Sequence, residues 1–357
     1  LYAGYPITPA TKIMEILSKE LPKLGGVVVQ AEDEISAIGH VVGGGFAGKR
    51  CATATSGPGL CLMVEFMNLA VMAEIPAVVI DCQRGGPSTG LPTKTEQADL
   101  NLAVFGGSGD SPRVVLAPTN VEECYSLVLK AFEIAEAFQT PVIVLLDLFL
   151  SNRQEDISWA GISPSAFGEY EPVLAKAGDE PYRRYALVDS GISPRSIPGM
   201  DGLFHAVTGL EHDERGFPNY DPAMHQKMTR KRFRKINNLA AKWPPPEVTG
   251  PEGELDVGII SWGSTVGAAV EALRVLENRG VKAGGLFPRL LSPANPVHLR
   301  AFSDRSRRLL VVEMNHSGQY AGLVDRAVQR EVERLSQVHS EPFPVPEIVN
   351  AASGETQ

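Results

Sequence analysis

A carboxylate, a guanidinium and a hydroxyl carry most of the chemistry this sequence offers. Glu34 follows Val27–Gln30, which reads as a buried strand, and stands in a first helical turn with Glu32 and Asp33. The positive end of a helix dipole favours carboxylates, which accounts for Glu32 and Asp33 as surface charge. Glu34 differs because Ile35, Ala37 and Ile38 lie beside it. Apolar neighbours strip water from a carboxyl and suit it to trade a proton with a heterocycle. The residues by themselves leave that role open against plain dipole charge. Arg84 follows the strand Ala77–Cys82 in a long polar loop, Gln83–Glu96, where a guanidinium fork could take a carboxylate or simply face solvent. Thr8, within Tyr5-Pro6-Ile7-Thr8-Pro9, is placed as an N-cap with Pro9 opening the helix. A cap and a ligand role coexist there, since the free N–H groups face outward.

Other side-chain groups exclude chemistries. Cys51, Cys61, Cys82 and Cys124 form no CxxC, so neither a zinc site nor an iron–sulfur run is present. They read as small hydrophobes in strands and apolar helices, which suits a reducing cytoplasm. His205, His212 and His225 lack metal-ligand spacing and read as loop or interface residues. Gly43–Gly48 satisfies GxGxxG but closes a helix and precedes a strand, the reverse of a dinucleotide site. Its glycines serve close backbone packing. The net charge of −9 leaves no general footprint for nucleic acid. The one basic run, Lys227–Lys235, reads as a solvated helix face or a partner-docking surface. No apolar run spans a bilayer and no signal peptide is visible, so the expectation is a cytoplasmic protein without membrane contact.

The elements that must hold these groups alternate strand and helix. Strands Val27–Gln30, Arg50–Thr55, Ala77–Cys82, Arg113–Leu116 and Pro141–Asp147 are interleaved with helices, including one over Leu60–Glu74 and one over Asn120–Phe138. Such alternation predicts a doubly wound, mostly parallel α/β sheet, and open sheets of this kind bind ligands beyond the carboxyl ends of their strands. Ser56-Gly57-Pro58-Gly59 is a sharp turn into a helix, with glycines that permit close approach to a ligand. From Leu150 to Gly253 the periodicity weakens, ending in a linker at Pro244-Pro245-Pro246 and Gly250-Pro251-Glu252-Gly253. A smaller α/β unit starts at Leu255, where Gly263-Ser264-Thr265 opens a helix as a cap or an anion cradle. The chain is long enough at 357 residues for two cores.

Together YPITP (5–9), QAEDEISAIG (30–39), TATSGPG (53–59), QRGGPSTGLPTKTEQ (83–97), TGLEHDERG (208–216) and EMNHSGQY (313–320) resemble the alpha subunit of 2-oxoacid:ferredoxin oxidoreductases, most of all the 2-oxoglutarate type. The resemblance implies a thiamine diphosphate pyrimidine-binding domain at 1–158, a connecting segment at 159–253 and a transketolase C-terminal-like domain at 254–357. It implies that Glu34 hydrogen-bonds the aminopyrimidine, with Pro6 and Ser56 also holding the cofactor. Favouring the imino tautomer makes the cofactor's own exocyclic nitrogen the base. It further implies that Thr8 and Arg84 hold the 2-oxoacid, and that coenzyme A and ferredoxin are the other substrates. A pyruvate or branched-chain 2-oxoacid enzyme, or a non-oxidative thiamine diphosphate enzyme, remains the alternative.

The sequence lacks a Gly-Asp-Gly…Asn pattern for Mg²⁺ and diphosphate, and lacks cysteines for a [4Fe–4S] cluster. In the resembled family both belong to a separate beta subunit, so this chain is expected to supply half an active site. The chain begins Leu1-Tyr2-Ala3-Gly4, without Met and inside a motif. A gamma-type domain upstream is the expectation.

Overall fold

The computed structural model describes residues 1–159, 162, 164–178 and 181–354. In chain order the first half gives β1 (Tyr2–Gly4), α1 (Thr11–Glu20), β2 (Val28–Gln30), α2 (Glu34–Phe46), β3 (Ala52–Thr55), α3 (Gly57–Met72), β4 (Ala77–Gln83), α4 (Leu100–Phe105), β5 (Val114–Leu116), α5 (Val121–Phe138), β6 (Pro141–Asp147) and α6 (Leu148–Asn152). The second half gives α7 (Pro222–Lys242), β7 (Val248–Thr249), β8 (Leu255–Ser261), α8 (Thr265–Asn278), β9 (Ala283–Leu286), β10 (Leu290–Ser292), α9 (Pro296–Asp304), β11 (Ser306–Glu313), α10 (Gln319–Val328), β12 (Glu333–Ser336) and α11 (Val345–Ser353). No helix among the described residues is long and apolar enough to cross a membrane.

β1 to β6 pair in parallel, in the order β5-β6-β4-β3-β1-β2. Apolar residues alternate between the two faces, as strand geometry requires. Val78, Ile80, Val142 and Val144 pack beneath α5 and α7, whereas Val79, Ile143 and Leu145 pack beneath α2 and α3. Both faces are therefore covered, which is why β4 and β6 read as unbroken apolar runs. The second sheet runs β12-β11-β8-β9-β7, parallel except for β7. The core beneath α2 and α3 continues into it through Ile260, Trp262 and Leu286.

Three expectations change here. β10, expected to stay with the second unit, returns to the first sheet and pairs antiparallel with β5. The basic run is a solvated face only in part, since Lys227, Arg230 and Arg234 are exposed. It lies in α7, and Lys231, Arg232 and Lys235 are buried, because Glu74 at the end of α3 takes both lysines and Glu211 takes the arginine. Burial alone would raise the Glu74 carboxyl; Lys231, Lys235 and Arg184 overcome it and hold it well below the usual carboxylate range. Cys61 is exposed rather than a core hydrophobe.

The glycine pattern at Gly43–Gly48 closes α2 and precedes β3, and its packing role holds. A Cβ on Gly45 would lie 2.1 Å from the Pro76 carbonyl oxygen. His205, His212 and His225 sit in the connecting segment and in α7, and the described residues contain no group of histidine, cysteine and acidic side chains able to hold a metal.

Candidate functional site

Because β1 to β4 are parallel, the residues that follow them emerge at one edge of the sheet. The strand order turns at β1, which lies between β2 and β3, and this makes the crevice where open α/β sheets bind ligands. Thr8 follows β1, Glu34 follows β2, Ser56 follows β3 and Arg84 follows β4.

Glu34 is the first residue of α2, which Asp33 caps by accepting the Ser36 N–H at 2.7 Å. Asp33 is thus a helix cap rather than general surface charge. The Glu34 side chain is buried, and it lies against the first turn of α3. A Cβ on Gly59 would stand 2.7 Å from its Cγ and Oε1 and 2.1 Å from the Thr55 Oγ1. Only glycine fits there. Ser56 is wholly buried and its Oγ has no hydrogen-bond partner, although it stands at the N-cap of α3. A buried hydroxyl without a partner costs free energy, so such a group marks a place where a polar ligand group fits. A buried carboxyl and a hydroxyl without a partner thus both stand at the glycine-rich first turn of α3.

Arg84 is buried, not a mobile surface arginine. It reaches over β3 and donates from Nη1 to the Thr8 carbonyl oxygen at 2.7 Å, leaving Nε without a partner. Thr8 therefore meets Arg84 through its backbone. Its side chain does not cap α1, which starts at Thr11 with Ala10 at the cap and the Thr11 hydroxyl donating to the Ile7 carbonyl. The chain turns at Thr8–Ala10, so the helix starts later than the proline implied. Pro6 and Thr8 are both exposed on the rim.

Arg84 also lines a cavity of about 550 Å³. Pro58 and Cys61 of α3, Glu96 and Asp99 of the long loop, and Asn315 and His316 of the second unit form its other walls. Glu34, Ser56, Pro6 and Thr8 are not among its lining residues, so the expected site residues divide between this cavity and the turn around Gly59. Asp99 and its neighbour Asp81 were missed from sequence. The available signal was an acid inside the apolar strand Ala77–Gln83.

Several hydrogen bonds join the second unit to this edge, three of them made by one side chain. Gln97, at the end of the long loop, donates to the Trp262 carbonyl at 2.9 Å and to Asp147 at 3.2 Å, and accepts from Thr265 and from the Met314 N–H. Asp147 in turn accepts the Ser264 N–H at 2.8 Å. The Gly263-Ser264-Thr265 turn thus does hold an anion, one the chain itself supplies. In EMNHSGQY, the buried Glu313 accepts the N–H groups of Tyr320 and Ala321, and Asn315 bonds the Gln97 carbonyl. That motif fixes the cavity wall in place.

Residues 1–231 match the family model described as pyruvate flavodoxin/ferredoxin oxidoreductase, thiamine diphosphate-binding. The 2-oxoglutarate synthase subunit KorA of Methanothermobacter marburgensis is 37% identical over 358 residues, covering 99% of this chain and 93% of that one. The 2-oxoacid:ferredoxin oxidoreductase 2 subunit alpha of Aeropyrum pernix is 39% identical over 336 residues, 90% of this chain and 52% of that one. The 2-oxoglutarate oxidoreductase subunit KorA of Mycobacterium tuberculosis is 39% identical over 347 residues, 97% and 52% respectively. The chain thus spans about half the length of these last two relatives. Among solved structures, the 2-oxoglutarate:ferredoxin oxidoreductase from Magnetococcus marinus, with 2-oxoglutarate, coenzyme A and succinyl-CoA bound, matches at a TM-score of 0.92 and 43% identity. That match covers 100% of this chain and 62% of the other. A split-gene transketolase, an inactive β4 tetramer, matches at a TM-score of 0.56 and 15% identity over 99% of this chain and 91% of its own, which shows a shared fold.

Proposed function

This chain belongs to the pyruvate flavodoxin/ferredoxin oxidoreductase family, and from that premise we propose that it is the alpha subunit, or part of it, of a thiamine diphosphate-dependent 2-oxoacid:ferredoxin oxidoreductase. The reaction is 2-oxoglutarate, coenzyme A and oxidised ferredoxin going to succinyl-CoA, CO₂ and reduced ferredoxin. The observation that carries this reading is the buried Glu34 carboxyl seated on Gly59, at the sheet edge from which Arg84 also emerges. The likeness over the whole chain to an oxidoreductase solved with 2-oxoglutarate bound supports the substrate.

When bound, thiamine diphosphate supplies the nucleophile for the 2-oxoacid carbonyl and the sink for the electrons released with CO₂. Glu34 holds a ring nitrogen of the aminopyrimidine and moves a proton there. Ser56, with its free hydroxyl, and Pro6 at the rim line the cofactor's place. Arg84, whose Nε is free, orients the substrate C1 carboxylate, and Thr8 steadies Arg84 and the polar end of the substrate. Residues 1–158 form the pyrimidine-binding domain, 159–253 the connection and 254–357 the transketolase C-terminal-like domain. Ala160, Gly161, Ser163, Asp179, Glu180 and 355–357 of these spans lie outside the described residues.

A beta subunit supplies the Mg²⁺–diphosphate site and the [4Fe–4S] cluster that passes electrons to ferredoxin. The absence from this sequence of the motifs for both supports that division. Four free cysteines suit a reducing cytoplasm. The test is purification with the neighbouring subunits, followed by ferredoxin or viologen reduction with a panel of 2-oxoacids and coenzyme A. Dependence on 2-oxoglutarate, thiamine diphosphate and coenzyme A is the expected result; turnover without an electron acceptor would overturn it.

A further inference from the structure

The turn between β11 and α10 is hydrogen-bonded along most of its length. The Met314 N–H donates to the Gln97 Oε1 at 3.0 Å, and the Asn315 Nδ2 donates to the Gln97 carbonyl at 3.1 Å. Asn315 Oδ1 accepts the N–H groups of Gly318 and Gln319 at 2.8 and 3.1 Å. Gln319 donates to the Ala98 carbonyl and accepts the Asn101 N–H, both at 2.7 Å. The turn is thereby tied to residues 97–101, which directly follow the long loop that Arg84 opens. Two of its side chains take no part. His316 and Ser317 are exposed, and neither side chain has a hydrogen bond, ion pair or ring contact among the described residues.

Both line the Arg84 cavity, and they do so from the second unit. A fixed backbone that presents free donors spends little entropy in ordering them on a ligand. Arg84 and His316 are the two basic side chains among the lining residues; Lys94, in the same long loop, pairs with Glu341 at 3.2 Å instead. The two lining acids stand on the first unit with Arg84. Glu96 accepts the Gly86 N–H at 3.4 Å, and Asp99 lies against Gly57, where a Cβ would be 2.7 Å from each carboxyl oxygen. A monocarboxylate held at Arg84 needs no second donor. A dicarboxylate does, because a carboxylate taken from water without a donor is costly.

We propose that His316, with the Ser317 hydroxyl next to it, takes the distal carboxylate of a dicarboxylic 2-oxoacid and so selects 2-oxoglutarate over 2-oxoacids with apolar side chains. Arg84 and His316 then hold the two ends of one substrate from the two units of the chain. The inference rests on the reading of this chain as a 2-oxoglutarate oxidoreductase subunit with Arg84 at the C1 carboxylate.

The test is made on the assembled enzyme with viologen as acceptor. It reads KM for 2-oxoglutarate and the inhibition constant of 2-oxobutyrate against it, since 2-oxobutyrate is the same 2-oxoacid without the distal carboxylate. His316→Leu is expected to raise KM for 2-oxoglutarate by about tenfold to a hundredfold, the worth of a hydrogen bond to a charged group, with much less effect on kcat. The inhibition constant of 2-oxobutyrate stays at the wild-type value. His316→Gln, which keeps an N–H donor, gives a smaller rise than His316→Leu. A wild-type KM in His316→Leu overturns the inference, and so does an equal loss for both 2-oxoacids, which would make His316 a support of the wall. The two readings fail differently. If the wild-type complex does not reduce viologen with 2-oxoglutarate, the functional reading falls and the inference with it; if it does and the His316 variants keep the wild-type KM, the inference alone falls.

Discussion

The Glu34 carboxyl rests on the backbone of Gly59, so closely that a single added methyl group would stand 2.7 Å from its Cγ and Oε1. Residues from the helices after β2 and β3 thereby share one contact, and the position of the carboxyl depends on the absence of a side chain.

Gly59→Ala should therefore act on Glu34 without touching the cofactor. A displacement of about 1 Å at a reacting group costs about a hundredfold in rate. Glu34→Gln, which keeps the shape and loses the acid, should cost at least about as much. Both variants are expected to retain wild-type circular dichroism and to slow hydrogen–deuterium exchange at the thiazolium C2 in the assembled enzyme. Exchange at the wild-type rate in Glu34→Gln would remove Glu34 from the chemistry.

Arg84 should separate substrate binding from cofactor activation. A charge-assisted fork to a carboxylate is worth roughly 1.5–3 kcal/mol. Arg84→Lys keeps the charge but loses the planar fork, so kcat/KM should fall for every 2-oxoacid tested, while C2 exchange without substrate survives. A loss confined to 2-oxoglutarate and absent with 2-oxobutyrate would move Arg84 to the distal carboxylate.

Glu74 gives a stability prediction. With Lys231 and Lys235 it forms a buried charge cluster joining α3 to α7. Glu74→Gln leaves two buried ammonium groups short of their counter-charge, and breaking such a pair costs about 3–5 kcal/mol. The depressed Glu74 carboxyl contributes stability that is complete above its unfolded pKa and is lost as pH falls toward its folded one. Denaturant titrations should show wild type and Glu74→Gln converging as the pH drops below the ordinary carboxylate range.

The isolated chain should bind thiamine diphosphate poorly and show no iron–sulfur absorbance, since it carries neither a diphosphate–Mg²⁺ motif nor a cluster-binding cysteine set. Calorimetry on this chain alone checks the first point, and tight binding would argue against a site divided between subunits.

The sequence alone determined what depends on local pattern. Alternating apolar strands and helices specify a doubly wound sheet, because each covered strand must be apolar on both faces, and Pro141–Asp147 is such a run at its observed bounds. Parallel order then sends the ends of β1 to β4 to one edge, which brings Thr8, Glu34, Ser56 and Arg84 to the same side of the sheet. Tertiary structure decided what depends on which surfaces meet. Lys231 and Lys235 look like solvent charge until Glu74, more than 150 positions earlier, is folded against them. Leu290–Ser292 carries no mark that it will leave its neighbours and pair with β5. Burial and ion pairing are properties of distance in space, and local sequence does not encode them.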